Sequence, residues 1–127
     1  MGKRPVTMTI HEKALESRDA IELLSNKWRI ALLHLLTPGV LRTRDLQRAL
    51  EGVSAKVLTQ TLRGMERDGL IRRTVRSAVP ARVEYQLTPM GRSAIKPLRE
   101  LCRWAKAHAA ERDAARMRYD VAARDRA

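Results

Sequence analysis

The chain has 127 residues, with 26 Lys or Arg against 14 Asp or Glu, a formal charge of +12 and a pI near 11.2. That length fits one domain, the 44% apolar content is too high for a disordered chain, and the absence of Phe makes the core aliphatic. One Cys excludes an internal disulfide or a Cys-based zinc site, no apolar run approaches the roughly 20 residues that cross a bilayer, and the surplus charge points to nucleic acid first and an anionic membrane surface second.

Residues 1–10 mix Lys, Arg, Pro and Thr without period and read as a loose arm. No secretory leader is expected there, because Lys3 and Arg4 are followed by Thr and charges rather than an apolar run. A short helix fits residues 11–16. A longer helix is expected after Ser17, a candidate N-cap, because Ile21, Leu24, Trp28, Ala31, Leu32 and Leu35 recur at helical spacing. It must stop at Thr37-Pro38-Gly39. A short helix then runs from Thr43, its expected cap, to Leu50, with Leu46, Ala49 and Leu50 inward. Glu51-Gly52-Val53 is a tight turn. Ser54 caps a third helix reaching about Asp68, with Leu58, Leu62 and Met65 buried and Gly69 as its left-handed terminator. The period then changes, and residues 70–76 and 82–87 alternate as two strands around a basic loop. Thr88-Pro89 starts a last, long helix with Pro at its first position. On it Ile95, Leu98, Cys102, Ala105 and Ala109 share a face, and Leu101 and Trp104 add a second. Pro97 is expected to cause only a mild kink. Beyond His108 the chain has helix propensity and little to bury.

This order predicts a mainly α fold with a small β-hairpin. A short helix and the Ser54 helix, joined by a turn, match a helix-turn-helix, and the hairpin with its Arg-rich rim is a wing. With Leu58, Leu62 and Met65 inward, Ala55, Lys56, Thr59, Gln60, Arg63 and Arg67 face solvent. Lys56, Gln60 and Arg63 can reach base edges in a major groove, Gln suiting adenine and Lys or Arg guanine. Ser54, Thr59 and the free amides at the helix start suit phosphates, and small Ala55 and Thr59 permit close approach. Arg76 and Arg82 flank the wing tip, while Arg42 and Arg44 open the short helix. All four are candidate phosphate or minor-groove contacts. Arg72 and Arg73 face opposite sides of one strand and cannot both be contacts of one kind. The charge follows the same map: residues 42–92 hold eleven basic and five acidic residues, net +6, against +2 before them and +4 after.

Residues 18–106 resemble the HxlR-type winged helix-turn-helix regulators, relatives of the MarR type. The matching stretches are Asn26-Lys27-Trp28-Arg29 with the aliphatic run to Leu36, then residues 44–50, 54–63 and Asp68-Gly69-Leu70-Ile71. The most specific is Val79-Pro80-Ala81-Arg82-Val83-Glu84-Tyr85-Gln86-Leu87-Thr88, with Gly91 just after. The resemblance implies a homodimeric prokaryotic transcription factor, cytoplasmic and nucleoid-associated, that binds an inverted repeat on double-stranded DNA, most simply as a repressor. It also implies terminal helices that form the dimer interface, a role that suits Leu98, Leu101, Cys102 and Trp104. The chain would then divide into an arm and short helix over 1–16 contributing to the dimer, a DNA-binding core over 17–92, and a dimerisation helix and tail over 93–127. Regulators of this shape often bind a small-molecule effector between dimerisation helices and DNA-binding unit. Trp28, Leu32, Tyr85 and Trp104 are the candidate lining here, with plain core packing the alternative for each. Several relatives sense oxidants through a Cys near the N-terminus, but residues 8–13 hold none. Cys102, on an apolar face, is expected to be buried and inert.

No enzyme, cofactor or metal is expected. His11, His34 and His108 sit in separate elements without ligand spacing, and no phosphate loop or nucleophile elbow is present. Glu66 and Asp68, two apart on a helix, point in different directions. The same fold serves non-specific architectural DNA binders and RNA-binding winged helices. The base-reaching side chains of the Ser54 helix favour sequence-specific DNA binding over both. A membrane-surface role is disfavoured, because no helix reads as basic on one face with bulky Trp, Phe or Leu on the other.

Overall fold

The computed structural model describes residues 9–24, 26–77 and 79–126. The arm over residues 1–10 therefore lies, but for Thr9 and Ile10, outside the described residues. Two helices stand where one is expected to begin at Ser17: α1 (Ile10–Leu24) and α2 (Lys27–Leu36). Ser17 is inside α1, which Thr9 and Glu12 open by exchanging side-chain and backbone hydrogen bonds. The break comes at Asn26, whose carboxamide oxygen accepts from Trp28 N at 2.9 Å and caps α2. The apolar pattern runs straight across this point and hides it. α2 ends at Thr37 as expected, with Leu32, Leu33 and Leu36 fully buried.

Strand β1 (Leu41–Arg42) leads into α3 (Thr43–Ala49). Arg42, not Thr43, holds the N-cap position, and the Asp45 carboxylate accepts from its backbone N at 3.1 Å. The Gln47 side chain donates to Val53 O at 2.7 Å and ties down the turn that follows. Ser54 Oγ accepts from Val57 N at 3.1 Å and starts α4 (Ala55–Arg67), which buries Leu58, Thr61, Leu62 and Met65. Gly69 ends it at φ +77°, in the left-handed region where a side chain would be strained.

Strands β2 (Ile71–Arg76) and β3 (Arg82–Leu87) form the expected hairpin. β1 adds a third strand, in the antiparallel order β1-β3-β2. A two-residue strand has no alternation to betray it. Register pairs Leu41 and Arg73 with Tyr85, and Ile71 with Leu87. Ile71, Tyr85 and Leu87 turn into the core with the leucines of α2, α3 and α4. Arg42, Thr74, Arg76, Arg82 and Glu84 share the opposite face. Thr88 N donates to Leu70 O, and Thr88 Oγ1 donates to Gly69 O while accepting from Gly91 N. These bonds seat the start of α5 (Pro89–Ser93) against the residues that enter β2.

The chain divides after Arg92 into two compact units. The second holds α6 (Ile95–Ala107) and α7 (Ala109–Asp125), so the single helix expected from Pro89 is three. Pro97 accounts for the first break: it lacks the N–H that would bond back to Ser93, and the chain restarts a helix, where a first-turn Pro costs little. The second break falls at His108, whose backbone leaves the helical region at φ −105° and ψ 10°. Leu98 is buried, whereas Leu101 and Trp104 are 62% and 57% exposed. Cys102 is exposed too, contrary to expectation, because burial on this face ends with the first turn of α6. Lys96, Arg99, Arg103 and Lys106 make a basic stripe beside exposed Leu101 and Trp104, so the ground given above against a membrane-surface role does not hold for α6. No helix among the described residues is long and apolar enough to cross a membrane. α7 buries none of its side chains.

Candidate nucleic-acid interface

On α4 the four buried positions leave Ala55, Lys56, Thr59, Gln60 and Arg63 exposed along one side. The Ser54 hydroxyl accepts from Val57 N and keeps its own hydrogen to donate outward. The amides of Ala55 and Lys56 open the helix with no acceptor inside it. Small Ala55 and Thr59 lie among long Lys56, Gln60 and Arg63. A duplex can therefore come close to α4 while three polar side chains reach its base edges. On the inner side Thr61 Oγ1 donates to Val57 O at 2.7 Å, so its burial costs no hydrogen bond.

The wing arginines fall into two settings. Arg42, Arg44 and Arg82 line one cleft of about 420 Å³ with Thr43, Pro80, Ala81 and Val83. A cleft lined by three arginines and no carboxylate suits phosphate oxygens, which guanidinium groups grip in forked pairs. Arg76 is the cross-strand partner of Arg82, yet its Nε pairs with Glu84 Oε2 at 3.2 Å. The structure thus brings three of the four predicted arginines together and withholds the fourth. Thr43 and Glu84 are the residues that sequence reasoning missed. Glu84 shares the alternation of Arg82 and was legible from it. Arg72 and Arg73 are both exposed, on opposite faces of β2.

The candidate effector residues have unlike surroundings. Leu32 is fully buried and Tyr85 is 7% exposed, both in the core of the first unit. Tyr85 also borders a cleft of about 30 Å³, room for about one water molecule. Trp28 is half-buried, with Lys27 Nζ 4.5 Å from its ring centre. Trp104 belongs to the second unit, its ring 5.1 Å from that of His108. Among the described residues no cluster of His, Cys, Asp or Glu could hold a metal ion.

A helix-turn-helix whose second helix offers long polar side chains, followed by an arginine-lined wing, defines a winged helix-turn-helix DNA-binding protein. The family model for HxlR-like helix-turn-helix proteins matches residues 23–113, and the chain belongs to that family. It is 42% identical over 88 residues to YtcD, an uncharacterized HTH-type transcriptional regulator of Bacillus subtilis, across 69% of this chain and 70% of that one. Identity to YkvN of the same species, another uncharacterized HTH-type regulator, is 37% over 100 residues, across 79% and 84%. Among solved structures, a MarR-family transcriptional regulator from Enterococcus faecalis V583 matches with a TM-score of 0.73 at 35% identity, covering 87% of this chain and 97% of that one. The fold class and the family resemblance are borne out. The chain is an HTH-type transcriptional regulator, and its family consists of regulators rather than enzymes.

Proposed function

We propose that the chain binds double-stranded DNA sequence-specifically, as a homodimer on an inverted repeat, and represses transcription by occupying the promoter. The exposed stripe of α4 carries this reading. Its close-approach residues and its three long polar side chains are what base readout needs and what phosphate binding alone does not. The arginine cleft supplies the sequence-independent grip.

A second copy of the chain accounts for the apolar side chains that one copy leaves in water. Those on the terminal helices include Leu101, Trp104, Met117, Tyr119 and Val121, with exposed Cys102 beside them and Ile10, Leu15 and Ile21 on α1. In this arrangement residues 17–92 carry the DNA-binding surface, while residues 1–16 and 93–127, with Ile21 of α1 beside them, contribute the dimer contacts. Repression then follows from occupancy, in the cytoplasm at the nucleoid. An effector would act by binding the DNA-competent and incompetent dimers with different affinity. Trp28, Leu32, Tyr85 and Trp104 are the candidate contacts for it.

Footprinting on the promoter of the protein's own gene, in excess random duplex, tests the proposal. A two-fold symmetric protected site that survives the competitor is expected. Complete loss of protection to the competitor sinks sequence specificity and favours an architectural role.

A further inference from the structure

Arg29 stands on α2, outside the exposed stripe of α4, yet it ties the end of α4 to the end of α1 and lies against Gly64. Its Nη1 donates to Asp68 Oδ2 at 2.7 Å, at the C-cap of α4, and to Leu23 O at 3.2 Å, in the last turn of α1. The two side chains are 16% and 32% exposed, so water screens the pair only in part. The cation also sits at the C-terminal ends of two helices, where both dipoles attract it. The same guanidinium occupies a notch at Gly64. A Cβ there would stand 2.7 Å from Arg29 Nη2 and 3.7 Å from its Cζ. This explains a glycine in mid-helix, where only Pro is a poorer helix former. Gly64 follows Arg63 and lies one turn beyond Gln60.

We infer that Arg29 is a positioning residue for DNA reading: it sets the axial position and roll of α4 so that Lys56, Gln60 and Arg63 meet base edges in register. This rests on the sequence-specific binding proposed above. Apolar packing at Leu58, Leu62 and Met65 is non-directional and tolerates small slides of the helix. A directed ion pair at one end and a planar group in a glycine notch do not. Hydrogen bonds to base edges weaken steeply with misalignment, whereas attraction to phosphates falls slowly with distance. Loss of Arg29 should therefore separate the affinity for a chosen sequence from the affinity for any sequence.

The test uses the full chain and two duplexes of equal length, one enriched by the wild-type protein from a random pool and one of random sequence. Wild type, R29A, R29K, G64A and R29A/G64A are compared well below their melting temperatures, with circular dichroism verifying the fold. R29A and G64A should each cut the ratio of selected to random affinity about tenfold, the size of one base contact. Affinity for the random duplex should move by less than about threefold. G64A keeps every charge, so its loss cannot come from a changed net charge toward DNA. R29K keeps the charge and a donor for Asp68, but has no planar group to fill the notch at Gly64, and should recover part of the ratio. G64A should lower the melting temperature of the wild type and raise that of R29A, where only the better helix propensity of Ala remains. An unchanged ratio in R29A and G64A, or the same thermal effect of G64A in both backgrounds, overturns the role. If the wild type enriches no sequence, the proposed function fails and this role with it. If it enriches one and the variants keep the ratio, this role alone fails.

Discussion

Replacing Gly91 by Ala inserts one methyl group where the backbone leaves no room. The new Cβ would stand 1.9 Å from Leu70 O and 2.8 Å from Leu70 C, and must withdraw by about 1 Å to reach even 3.0 Å. Leu70 O cannot easily give way, because it accepts from Thr88 N at 3.1 Å. Thr88 Oγ1 is tied in turn to Gly69 O and Gly91 N. Overpacking costs about 1–3 kcal/mol. Straining two of these hydrogen bonds adds about 1 kcal/mol each. The helix propensity of Ala offsets about 1 kcal/mol. The balance is a destabilisation of about 2–4 kcal/mol, or roughly 10 °C in Tm. Gly52→Ala is the control: its Cβ meets nothing within 4 Å, and φ +87° leaves only left-handed strain, about 1–2 kcal/mol. Scanning calorimetry of both variants checks the reasoning. A Tm for Gly91→Ala within about 2 °C of wild type, or a larger loss for Gly52→Ala, refutes it.

Arg63→Ala and Gln60→Ala should each relax base preference and cost roughly 1–3 kcal/mol on the footprinted site; equal weakening on every sequence would remove the base-reading role. Arg82→Ala should flatten the slope of log K against log salt by about 1 per protomer. Arg76→Ala, whose guanidinium Glu84 holds, should flatten it less, and the reverse order would contradict the two settings of the wing arginines. Ser54→Ala should lower stability in urea by about 1 kcal/mol through the lost cap, and an unmoved midpoint would mean that the bond to Val57 N contributes nothing. Trp104→Glu should convert the proposed dimer into a folded 14.5 kDa monomer in light scattering. A wild-type chain that is already monomeric at micromolar concentration would remove the interface.

The α4 stripe was legible because each of its signals is local. Burial at Leu58, Leu62 and Met65 repeats at helical spacing, and Ser54 and Gly69 bracket the helix with a hydroxyl cap and a left-handed turn. The hairpin was legible from its period of two. Boundaries went astray where two local signals compete. At Asn26 the apolar repeat masks a cap, and at Pro97 a continuous apolar face masks a missing donor. β1 was silent because two residues are too few to show a period. Cys102 misled for a different reason: a face made of apolar residues says that something covers it, not that the same chain does.

Spacing along the chain was enough to establish a basic, winged helix-turn-helix protein and the side chains of α4 that face outward, since periodicity and caps act over a few residues. Folding settled which of the distant residues meet. Arg42 and Arg44 share a cleft with Arg82 from across the sheet, Arg76 is taken by Glu84, and Arg29 reaches Asp68 39 positions away. Such meetings depend on how helices and strands pack together; the alternation of β3 puts Glu84 on the face of Arg82, but no local pattern says which side chains meet there.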